Sequence, residues 1–174
     1  MRTRLVLMVF VLGMVVVGAA VAGLNRKWST HANGSMEVPA RDTNAQGQAI
    51  FHLSKDGAQL DYKLIASNIE NVVQAHIHKG LSGVNGPIVV WLFPSTSPPA
   101  DPPGAGRTDG VLVEGTIDAG DIATTAPPGY DFDALLADLD GDGAYVNVHT
   151  NDGVGALNTG PGDFPGGEIR GDIR

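Results

Sequence analysis

Gln74-Ala75-His76-Ile77-His78-Lys79-Gly80 alternates apolar and polar residues. Successive side chains of a β-strand point to opposite faces, so Ala75 and Ile77 fall on one side and His76 and His78 on the other. Ala144-Tyr145-Val146-Asn147-Val148-His149-Thr150 repeats the pattern, with Val146 and Val148 opposing Asn147 and His149. Near the end, Ile169 and Ile173 oppose Glu168 and Arg170. Three such strands predict an all-β domain. If their apolar faces share one core, the three histidines, Glu168 and Arg170 all point away from it.

The rest of the chain fits the same class. Its 24 glycines and 11 prolines punctuate short alternating runs, as in domains built from strands and turns. Ala45–Leu53 and Leu60–Leu64 flank Asp56-Gly57, a strong hairpin turn signal. Pro87–Phe93 is apolar on both faces, which predicts a central or covered strand. With Val111–Ile117 the set reaches about seven or eight strands, enough for a Greek-key β-sandwich. Two segments depart from it. Pro94–Thr108 is rich in Pro, Ser and Gly and reads as a surface loop. Phe132, Leu135, Leu136 and Leu139 recur at helical spacing behind Asp131, an N-cap residue, so one short helix is expected there.

Four segments, in order, carry a family resemblance. They are Gly34-Ser35-Met36-Glu37-Val38-Pro39, the stretch from Ala75 through Pro87 to Phe93, Ala144–Thr150, and Gly166–Ile173. Together they resemble the CHRD domain, named from chordin, over about residues 30–174. The resemblance implies an immunoglobulin-like Greek-key β-sandwich outside the cytoplasm, and it suggests protein binding. It implies no defined activity.

Residues 1–22 read as a signal peptide. Arg2 and Arg4 precede the apolar run Leu5–Val17, and Ala20-Val21-Ala22 supplies small residues for cleavage. The rival reading is an uncleaved anchor, since Leu5–Leu24 is 20 residues without a charge, long enough to span a bilayer. The expected domain is 23–174, secreted or periplasmic, or tethered by that segment alone. Its 152 residues suffice to bury about 70% of the unfolded surface. The chain has no cysteine, which excludes disulfides, thiolate metal sites and cysteine nucleophiles. Losing Arg2 and Arg4 takes the formal charge from −8 to −10. Nucleic acid and anionic membrane surfaces are therefore poor partners.

The chemistry centres on His76, His78 and His149. Three neutral imidazoles suit copper or zinc. The His-x-His strand followed by a later strand ending in histidine also resembles, locally, the copper site of copper–zinc superoxide dismutase. There an arginine on a C-terminal segment guides the anion, a role that the resemblance would pass to Arg170. The chain departs from that family in lacking its histidine-rich zinc loop and its disulfide. A structural reading stands beside these, in which the histidines bond backbone or carboxylate groups and fix loops.

Two further segments draw attention. Asp138-Leu139-Asp140-Gly141-Asp142-Gly143 matches the first half of an EF-hand loop, but His149 stands where the twelfth-position glutamate belongs. An acidic helix end feeding a strand is the expected reading. The loop Asn151–Asp163 follows His149 and is a candidate cap for the histidines. The sequence thus predicts an exported binding or structural module with a candidate three-histidine metal site and an extracytoplasmic protein or metal ion as partner. No catalytic residue is assigned. The alternative is a superoxide dismutase-like copper enzyme.

Overall fold

The structure, a computed structural model, describes residues 26–94 and 106–174. The expected signal segment and most of the Pro-rich loop lie outside the described residues. Eight strands and one α-helix follow one another: β1 (Lys27–Asn33), β2 (Gln46–Leu53), β3 (Leu60–Glu70), β4 (Val72–Lys79), β5 (Ile88–Phe93), β6 (Arg107–Ile117), α1 (Phe132–Asp140), β7 (Ala144–Thr150) and β8 (Ile169–Asp172). The expected bounds of β7 match the observed ones, and β4 takes in the His-x-His run. Strand β1 was not among the runs read from the sequence, although Trp28, Thr30 and Ala32 alternate inward along it.

All pairings are antiparallel, and the strands hydrogen-bond into one sheet in the order β5-β4-β7-β8-β1-β2-β3-β6. The expectation of an immunoglobulin-like Greek-key sandwich, two sheets face to face, is therefore not what the ladder describes. The sheet curls until its edges nearly meet. Tyr62 of β3 donates its hydroxyl to the Leu92 carbonyl of β5 at 3.0 Å. Ile122, just past β6, bridges Val90 of β5, and Ala123 N–H donates to the Val89 carbonyl at 2.9 Å. Register shifts in the β3–β6 pair, between Leu64 and Ile65 and between Ala66 and Ile69, favour this curvature, since a bulge bends its strand and sharpens the twist.

The apolar face of the curl is the core. Phe51, Leu60, Leu64, Ile69, Ile77, Leu92, Val146 and Ile169 have no exposed surface, and each such side chain contributes about 1.5–3 kcal/mol by leaving water. Helix α1 adds Leu135 and Leu139 to this core. It starts where expected: the Asp131 carboxylate accepts the Ala134 N–H at 2.8 Å, satisfying one of the free donors of the first turn.

The acidic turn after α1 resolves as an ion-pairing element. Asp138 accepts from Lys79 at 2.7 Å and from the Tyr130 hydroxyl at 2.8 Å. Asp140 pairs with Arg26 and accepts from the Trp28 ring N–H. These cations offset carboxylates at a helix C-terminus, where the helix dipole disfavours negative charge. The carboxylates thus turn to separate partners and do not converge as an EF-hand loop requires. The chain leaves through Asp142 at φ 55° and enters β7.

Candidate metal centre

Strands β4 and β7 are neighbours, and their register lays out the site. Gln74 faces His149, His76 faces Asn147, and His78 faces Tyr145. On the other flank His76 faces Trp91 of β5, and Asn147 faces Arg170 of β8. Trp91, His76, Asn147 and Arg170 thus form one lateral row on the face turned away from the core. His78 and His149 lie one step to either side of His76, which makes His76 the hub. Ring centroids of His76 are 5.4 Å from His78 and 4.7 Å from His149. One ligand nitrogen from each of the three residues lies within 4.8 Å of the others. Bonds of ~2.0–2.1 Å to one ion need nitrogens roughly 3.3–3.5 Å apart, so binding draws the rings inward.

Backbone carbonyls decide which ring nitrogens carry protons. His149 Nδ1 lies 2.7 Å from the Pro165 oxygen and His78 Nδ1 lies 2.8 Å from the Gly86 oxygen. A carbonyl only accepts, so both Nδ1 atoms donate. The neutral rings then carry lone pairs on Nε2. His76 Nδ1 lies 3.1 Å from His149 Nε2 and donates to it, which leaves a lone pair on His76 Nε2. The Nε2 atoms of His76 and His78 are both buried, and neither has a hydrogen-bond partner among the described residues.

Burial keeps the His76 and His78 rings neutral. Burial pushes the His76 imidazole down to about 2, helped by His149 and then His78. Burial also lowers His78, and the Arg170 guanidinium lowers it further against the opposing bond to Gly86. Neutral imidazole is the form that binds metal.

Aromatic side chains wall the site. Trp91 meets His76 edge-on at 4.1 Å. Tyr145 stacks on His78 at 4.8 Å with only 9° between planes, and the Arg170 guanidinium lies 3.5 Å over the far face of Tyr145. Neither ring was singled out from the sequence. Tyr145 was within reach, since Tyr145, Asn147 and His149 recur at period two on one face. Trp91 was not, because its opposition to His76 depends on strand register.

The remaining expected residues lie near the histidines in other roles. Arg170 is fully buried, and its N–H groups go to Asp172, Asn85 and the carbonyls of Leu81 and Val84. The expectation that it guides an anion from solvent is corrected: it is a clamp on the β4–β5 loop. Glu168, also fully buried, accepts from Thr43, Thr150 and the Gly162 N–H. In the row between sits a polar pair the sequence reading did not single out, Asn147 donating to Glu37 at 2.6 Å. Burial raises the Glu37 carboxyl to about 7 despite Arg170 and Arg41 nearby. The candidate cap Asn151–Asp163 has an exposed middle, residues 153–159. Pro165, on the segment returning to β8, is what holds His149.

Among the described residues, no helix is long and apolar enough to cross a membrane. A search of curated proteins finds no match, and a search of solved structures finds none. The family model described as the CHRD domain matches residues 28–173, from the inward-facing Trp28 of β1 to the buried Ile173 just past β8. A match of that extent takes in every strand and the histidine row, and so the chain belongs to the CHRD domain family.

Proposed function

We propose that this chain is an exported CHRD-domain binding module whose distinctive ligand is a metal ion, copper or zinc, held by His76, His78 and His149. The observation that carries the reading is the pair of buried, unpartnered Nε2 lone pairs on His76 and His78. Leaving a buried acceptor unsatisfied costs about 1–3 kcal/mol. Histidines that served only to fix loops would use their polar atoms, and here the loop-fixing bonds of His78 and His149 occupy Nδ1 alone. One nitrogen from each of the three rings lies within 4.8 Å of the others, and His149 Nε2 becomes a ligand by giving up its bond from His76 Nδ1.

Export rests on the basic start, apolar run and Ala20-Val21-Ala22, and N-terminal sequencing of native protein tests it, with Gly23 as the expected first residue. The protein partner of such a module is an extracytoplasmic one. The dismutase-like reading loses its anion guide, because Arg170 is buried and bonded throughout.

Elemental analysis of protein purified without a histidine tag tests the site. We expect one copper or zinc per chain after incubation with a stoichiometric amount and desalting, lost in His78→Ala and in His149→Ala and kept in His31→Ala. Wild-type protein that retains neither metal overturns the proposal. Copper-loaded protein that dismutes superoxide catalytically would move the reading to the enzyme.

A further inference from the structure

The same site also carries information about which ion it takes. Imidazole accepts zinc and copper alike, so donor chemistry alone does not choose between them. Ligand number, enclosure and surrounding charge do.

The donor group contains three histidines and no carboxylate among the described residues, and the chain has no cysteine. No ligand therefore offsets the charge of a bound ion. The surroundings add little. Arg170 stands behind Tyr145 and is paired with Asp172 at 3.3 Å. Glu37 reaches Asn147 and keeps its proton up to about 7. Glu168, on the β8 side of His149, has its oxygens engaged by Thr43, Thr150 and Gly162. Arg41, the other cation near Glu37, bonds the Gly167 carbonyl. The Born cost of burial grows with the square of charge, so a dication costs about four times what a monocation does in such a place.

Coordination number points the same way. Zinc in proteins is almost always four-coordinate, with water in the fourth place when only three side chains bind. Here His76 is 1% and His149 9% exposed; His78 is half-buried with its Nε2 covered, and the half-buried Trp91 and the buried Tyr145 lie against His76 and His78. A closed-shell cuprous ion is content with three nitrogen donors and needs no water.

Resting on the metal-site reading, we infer that the three-histidine site takes a monovalent cuprous ion in preference to zinc. His76, the hub, bridges the other two ligands, and the aromatic walls exclude the water that zinc requires.

The test is a pair of anaerobic competition titrations on the full, tag-free chain. One sets Cu(I) against a chromophoric cuprous chelator, the other Zn(II) against a chromophoric zinc chelator. We expect one Cu(I) per chain, bound at least 100-fold more tightly than Zn(II), with quenching of the Trp91 fluorescence that survives in Trp28→Phe. His78→Ala should weaken Cu(I) at least 100-fold. Zinc binding as tight as Cu(I), or tighter, overturns the preference and leaves the metal site standing. Binding of neither ion overturns both. The wild-type comparison decides the matter even where a histidine variant fails to fold.

Discussion

The two faces of β4, β7 and β8 are both buried, yet they are held by different physics. On the inner face Ala75, Ile77, Val146, Val148 and Ile169 have no exposed surface and need only to fit. On the outer face His76, Asn147, His149, Glu168 and Arg170 are 9% exposed or less, and every polar atom there needs a partner. Most have one. Arg170 is held by a loop, Glu168 by two hydroxyls and an N–H, the Nδ1 atoms of His78 and His149 by carbonyls, and His149 Nε2 by His76. The exceptions on this face are the Nε2 atoms of His76 and His78 and the Oδ1 of Asn147, the residue opposite His76. An apolar face tolerates small mismatches of shape, while a polar interior shows what it lacks as unmet hydrogen-bond capacity. That difference is why the outer face points to a ligand and the inner one does not.

The largest effect should come from breaking the outer face at its most connected residue. Arg170→Met strands Asp172 and the carbonyls of Leu81 and Val84, at an expected cost of about 4 kcal/mol. Urea unfolding measures it. A loss below about 1 kcal/mol would mean that the polar layer adds little to the fold.

Ile77→Ala is the matching cut on the inner face, between the two histidines in sequence. Truncating a fully buried isoleucine should cost about 3–4 kcal/mol while leaving the metal stoichiometry of the folded protein intact. Loss of metal from folded Ile77→Ala protein would show that the two faces are not separable.

The next effect depends on pH. The Glu37 carboxyl is raised from 4.5 to about 7, so the folded state holds this proton more tightly than the unfolded one. Its contribution is therefore most favourable below pH 4.5 and is lost as pH rises to 7, a swing of about 3 kcal/mol. His76 has the opposite sign. Its folded value of about 2 lies below the usual 6.5, so stability falls as pH drops below 6.5. The slopes oppose each other between 4.5 and 6.5. Glu37→Gln should remove one of them, so that its stability climbs with pH across that window where the wild type stays flatter. Parallel curves for the two proteins would refute the assignment.

The smallest stability effect should be at the hub. His76→Leu deletes a buried unsatisfied nitrogen as well as the bond to His149, and we expect a change within about 1 kcal/mol in metal-free protein. Metal affinity should fall at least 100-fold in the same variant. A loss of several kcal/mol would return His76 to a purely structural role.

Alternation along β4, β7 and β8, helical spacing behind Asp131, and the His-x-His pattern are local signals, and each was legible in the sequence. They determined the all-β class, the helix from Phe132 and the choice of His76, His78 and His149, because side-chain direction follows from backbone period alone. Strand β1 was not legible in this way, because its inward positions are Trp28, Thr30 and Ala32, and one polar and one small residue among three give no clear apolar period of two. Only the tertiary structure decided that the eight strands form one nearly closed sheet, since strand order is set by pairings between residues far apart in sequence. It also decided that Arg170 is a loop clamp rather than an anion guide. Burial of an outer face depends on loops that fold back over it, and no local pattern encodes where they land. The opposition of Trp91 to His76 and the tautomers imposed by Gly86 and Pro165 have the same origin: register and loop path place a carbonyl 2.7–2.8 Å from an imidazole nitrogen, or a ring 4.1 Å from an imidazole, and both are products of the whole fold.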